Sequence, residues 1–255
     1  MLEAVLQRDR VVLVAGLVAV LAMAWGWLLT GAGMEMSAVD MTAMAGMDGW
    51  LMRPAVWTPA YAVLIFAVSM KLPSAAPMLL LFARVNRKDK AAGAPLAPTT
   101  LFAAGDLLAW GGFSAGAAAL QWGLESARLV SPMLVTTDHW LGVGILVAAG
   151  LWQLTPFKAR CLSHCRTPLG FLIGNWHSGR LGALRMGLEH GAFCLGCCWF
   201  LMSLLFFGGV MNLYWIVGLA IFVLLEKTVP FGHWLGRLAG MMLVVWGAVL
   251  AIQAH

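Results

Sequence analysis

Three cysteines and a histidine fall within nine residues of one apolar stretch: His190, Cys194, Cys197 and Cys198. Spacings of four and then three put His190, Cys194 and Cys197 on one face of a helix, with Met186 a turn earlier and Cys198 beside them. Imidazole with several thiolates can hold Zn or Cu(I), and soft sulfur favours copper over zinc. Glu189 and His190 are adjacent ionisable residues in a run that otherwise suits lipid, and such residues are costly there unless they have a task. A plainer reading competes. Gly187 and Gly191 form a small-xxx-small pair, and cysteine can serve as one more small residue for close helix packing. A single cysteine would fit that reading; three with a histidine favour metal or redox chemistry.

Two further groups carry sulfur. Cys161-Leu162-Ser163-His164-Cys165-Arg166 is a Cys-x3-Cys with an internal histidine, able to bind metal or form a reducible disulfide. It lacks the second pair of a zinc ribbon, so metal transfer and a structural role both stay open. Near the N-terminus, six of the 16 methionines fall between Met34 and Met52, and Met34, Met36, Met41, Met44 and Met47 are the candidate ligands. Thioethers suit Cu(I) and form no disulfides, which makes them usable on an oxidising face. Flexible methionine is also a common packing filler. Glu35, Asp40 and Asp48 are out of place in such a filler and favour metal capture.

Other candidates are weaker. Asp106 and Lys71 both fall in apolar runs, where a mutually neutralising pair is the simplest expectation and proton coupling the sharper one. His139 could join the methionine segment. No phosphate-cradling glycine loop, His-Glu-x-x-His, haem-attachment motif or nucleophile elbow is present, so a binding role is expected rather than an enzyme.

The elements that must position these groups follow from composition. Of 255 residues, only 27 are charged and 62% are hydrophobic, with a mean hydropathy of +0.86. Soluble domains carry about 25% charged residues. An ordinary soluble enzyme, a disordered chain and a secreted disulfide scaffold are excluded, which leaves an all-α integral membrane protein. About seven transmembrane helices are expected, at 11–31, 56–82, 99–123, 139–154, 181–207, 213–225 and 234–254. They form one helical domain over residues 1–255, with a Met-rich outer loop at about 32–55. Prolines 73 and 77 imply a kink or break in the second. With the N-terminus cytoplasmic and the C-terminus periplasmic, 13 of the 16 basic residues lie inside. Only Arg53 and Arg128 lie outside, and Lys71 lies within a span. The excess positive charge therefore reports topology in a multi-pass inner membrane protein and not nucleic-acid binding. In this frame Cys197 is expected past mid-membrane toward the outside, with Cys161 and Cys165 as a separate inner station or a structural feature.

Several blocks of the sequence are similar to a known family. They include Met44-Ala45-Gly46-Met47-Asp48-Gly49-Trp50, Pro73-Ser74-Ala75-Ala76-Pro77-Met78 and Gln153-Leu154-Thr155-Pro156-Phe157-Lys158. The most specific is Cys194-Leu195-Gly196-Cys197-Cys198-Trp199, followed by Gly209-Val210-Met211-Asn212 and Leu225-Glu226-Lys227. Together they resemble a family of integral membrane proteins predicted to bind metal. That group includes a copper-chaperone-like protein serving polyphenol-oxidase-type copper enzymes. The resemblance implies copper handling, with a copper-dependent enzyme or a periplasmic copper protein as partner. The residues by themselves leave two alternatives open: a membrane thiol–disulfide enzyme using Cys197-Cys198, and a non-catalytic subunit of a larger membrane complex.

Overall fold

The computed structural model describes residues 2–30, 37–43, 71–88, 96–129, 136–209 and 212–253. These residues are helical almost throughout, and no sheet forms among them. In chain order the helices are α1 (Leu2–Leu29), α2 (Ala38–Ala43), α3 (Lys71–Lys88), α4 (Leu96–Ser126) and α5 (His139–Leu154). They continue as α6 (Pro156–Arg166), α7 (Pro168–Gly174), α8 (Gly179–Gly208), α9 (Leu213–Thr228) and α10 (Gly232–Gln253). Two of them, α8 and α10, are long and apolar enough to cross a membrane. The bent pair α5–α6 is a third if it counts as one span. At about 1.5 Å per residue, the 30 residues of α8 extend about 45 Å, which exceeds a hydrocarbon core of about 30 Å.

The long helices pack through small residues. α4 lies along α8, where a Cβ on Gly191 would sit 2.7 Å from the Cβ of Ala109. The small-xxx-small reading of Gly187 and Gly191 therefore holds: both are buried, and both face α4. α5 and α10 meet where a Cβ on Gly150 would come within 2.7 Å of the Gly240 carbonyl oxygen. The buried residues of α10 are Gly232, Gly236, Gly240 and Gly247. Its opposite side exposes Met242, Val245 and Ile252. A helix that buries glycines and exposes large apolar groups suits helix-to-helix approach in lipid, where close packing replaces hydrophobic exclusion.

One bend sets the position of the functional residues. Thr155 closes α5 and opens α6: its Oγ1 accepts a hydrogen bond from the Lys158 N–H at 3.2 Å, and Pro156 takes the first helical position. Proline there has no N–H to leave unpaired, and its fixed φ suits the first turn. The chain turns by 65° at this joint, and α6 packs against α8.

A candidate thiolate centre

Cys165, Cys194 and Cys197 come together, and their sulfurs all lie within 4.8 Å of one another. Two come from α8, three residues apart on one face, as their spacing predicts. The third comes from the last turn of α6. Cys194 and Cys197 are buried, and Cys165 is partly buried. The approach of α6 depends on Gly196, where a Cβ would lie 2.7 Å from Cys161 Sγ. Trp152 braces the same point by donating its indole N–H to the Gly196 carbonyl at 3.2 Å.

The local bonding prepares this set. The Cys197 and Cys198 thiols each donate to the Cys194 carbonyl oxygen at 3.0 Å. The Cys197 bond occupies an S–H group that a metal would deprotonate, so binding exchanges one weak hydrogen bond for coordination. Lys227, near the end of α9, places its Nζ 2.7 Å from Cys194 Sγ. Three thiolates around a monovalent ion carry a net charge of −2, and this ammonium offsets half of it in a low-dielectric interior. All five cysteines are free thiols.

The donor set fits a soft ion. With a metal–sulfur bond of about 2.3 Å, a trigonal site spaces its sulfurs about 4.0 Å apart. Sulfurs within 4.8 Å of one another are close to that spacing. The family model described as "PpoB2: Copper chaperone" matches residues 61–250, three quarters of the chain. The chain belongs to this family. No curated protein and no solved structure matches it. The three cysteines form a largely buried group that could hold a metal ion.

The other candidates fall around this centre. Cys198 is buried one residue on, and Cys161 is buried against Gly196. His164 stacks flat on Phe193, with ring centroids 4.3 Å apart and planes 3° apart. His190 stands outside the three-sulfur group: its Nδ1 is 2.8 Å from Asp106 Oδ1 on α4, and both residues are buried. Asp106 thus has a histidine as partner where the sequence suggested Lys71, whose side chain lies outside the described residues. Met34, Met36, Met44 and Met47 also lie outside them, as does the side chain of Met41 in α2. The side chain of Thr42 in α2 is tied to the start of α9, where the Leu213 N–H donates to Thr42 Oγ1 at 2.9 Å.

Two features escaped the sequence. The inner cysteine motif is no separate station, because the bend at Thr155–Pro156 carries Cys165 to Cys194 and Cys197. Lys227, counted only as a topology charge, touches a thiol. The Leu225-Glu226-Lys227 block offered a signal, since two opposite charges at the end of an apolar run need partners.

Proposed function

We propose that this protein handles Cu(I) in a membrane, holding the ion on Cys165, Cys194 and Cys197 and passing it to a copper-dependent enzyme or a periplasmic copper protein. The observation that carries this is the convergence of three thiol sulfurs within 4.8 Å in a chain of the copper chaperone family. Cys198 and Cys161 flank the site as spare thiols for exchange. His190 is a second ligand on the route. Its Nδ1 is held by Asp106, and a carboxylate on one ring nitrogen is the usual support for a histidine that ligates through the other. His164 lines the route beside Cys165. Met34, Met36, Met41, Met44 and Met47 act as the outer collecting or releasing face. Leu213 and Lys227 lie 14 residues apart on α9, about 21 Å along its axis. The contact with α2 and the contact with the thiols thus lie at opposite ends of one helix.

The whole chain, residues 1–255, is one transmembrane domain of about seven spans in an inner membrane, with its N-terminus inside. The exposed apolar faces of α8 and α10 and the 13-to-2 distribution of basic residues support this reading.

Metal analysis of full-length protein purified under reducing conditions tests the proposal. About one copper per chain is expected, and close to none in the Cys194→Ser, Cys197→Ser double variant. Wild-type protein that takes up no Cu(I) sinks it. Equal loading of the double variant moves the site elsewhere.

A further inference from the structure

A second polar site lies apart from the thiols. A cavity of about 560 Å3 opens between α5, α6, α9 and α10, and no cysteine lines it. Its inner wall is a buried cluster in which Lys158 donates to both Glu226 and Gln153. Lysine has only donors, so the Gln153 oxygen must face it, and the amide nitrogen points away. That Nε2 is buried with no hydrogen-bond partner, although Gln153 is only 5% exposed. An unmet buried donor is costly unless something supplies an acceptor.

The outer wall adds positive charge. Arg166 and Arg237 line the cavity with His233. Arg166 donates to the carbonyl oxygens of Val229 and Pro230 at 2.6 and 2.8 Å, and Arg237 lies over the Trp234 ring at 5.4 Å. These partners are neutral, so they orient the guanidinium groups without cancelling their charge. Glu226 is the one acid among the described lining residues, and Lys158 already neutralises it. α6 lines the cavity along its length, from Thr155 to Thr167. Next in sequence to lining residues, Phe157, Phe231 and Trp234 are each more than half exposed. All three cavity cations fall on the side expected to face the cytoplasm.

We propose that this cavity binds a phosphate-bearing anion, with Arg166 and Arg237 holding the phosphate and the Gln153 amide donating to it. The exposed apolar side chains beside these lining residues favour an anionic lipid headgroup, whose chains would lie along Phe157 and Phe231. Free phosphate is the other source of the same chemistry. The inference does not depend on the copper reading.

The test uses delipidated full-length protein in mild detergent. Thermal unfolding and native mass spectrometry are followed with phosphatidylglycerol, phosphatidylcholine and inorganic phosphate in separate arms. Retention and stabilisation by phosphatidylglycerol alone are expected. Loss of at least about tenfold in that affinity is expected for Arg166→Gln with Arg237→Gln, since each removes a charge-assisted contact. Stabilisation by phosphate without lipid, lost in the same variant, assigns the site to free phosphate. Equal response to both lipids with none to phosphate overturns the proposal. So does unchanged phosphatidylglycerol binding in the variant. Should the double variant fail to fold, Arg237→Gln alone decides the matter, because Arg237 is exposed and outside the helix seams. Copper content measured on the same samples reports separately on the thiolate centre.

Discussion

Two neighbouring residues at the end of α9 serve two different interiors. Glu226 reaches the ammonium of Lys158, which also binds Gln153, so a full negative charge meets a full positive one. Lys227 reaches Cys194, one of three thiols that have no carboxylate and no disulfide among them. The first cluster is closed: its charges cancel, and only the Gln153 amide is left over. The second is open: Cys197 donates weakly to one backbone carbonyl and can exchange that bond for an ion. Buried polarity with cancelled charge reads as architecture, and spare capacity, in the Gln153 amide as in the thiols, reads as a site.

The sharpest way to break that contrast is to unpair the closed cluster. Glu226→Ala leaves the Lys158 ammonium buried at 2% exposure without its counter-charge. A loss of about 3–5 kcal/mol of stability is expected. Replacing both partners, Lys158→Met with Glu226→Met, removes the charges together and should recover most of that loss. Denaturant or thermal unfolding in detergent measures both. A cost under about 1 kcal/mol for the single variant would show that the pair is no clamp, and the contrast with the thiols would lose one side.

Lys227→Met acts on the open cluster. The helix keeps its apolar packing, but the thiolates lose their only positive neighbour among the described bonds. Competition against a chromophoric Cu(I) chelator should show about tenfold weaker binding or more, the scale of one charge-assisted hydrogen bond. Lys227→Arg keeps the charge and should restore most of the affinity. If both variants bind like wild type, the lysine is an inner-face anchor and no more.

The sequence made half of each cluster legible. Cys194 and Cys197 share a face because helix periodicity is local, and local order survives in a bare string of residues. Cys165 joins them through a 65° bend that periodicity does not encode. Thr155-Pro156 marks where a new helix starts, but its direction depends on Gly196 admitting α6 and on Trp152 bracing it. The helices α5 and α9 begin at His139 and Leu213, where the apolar runs begin, each behind a side-chain cap from Asp138 or Asn212. Charges at the ends of such runs looked alike. Lys158 and Lys227 both read as inner anchors, and their different partners lie 68 and 33 residues away along the chain. Long-range pairing of that kind is set by tertiary packing alone.

His190 gives the finest test, because its spacing and its position suggest different roles. By spacing it belongs with Cys194 and Cys197 on one face. In the fold its Nδ1 is committed to Asp106, and the three sulfurs gather without it. A histidine held this way keeps its other ring nitrogen for a passing ion. His190→Ala should therefore leave about one copper per chain and an all-sulfur X-ray absorption signature. It should slow copper release to an external chelator by roughly tenfold, the low end of what loss of a group supporting a metal site costs in affinity or activity. Asp106→Asn should shift release in the same direction by less, since the imidazole remains. A nitrogen ligand seen in wild-type protein and missing in His190→Ala would put the histidine in the resident site, and the open cluster would then be a mixed sulfur–imidazole centre.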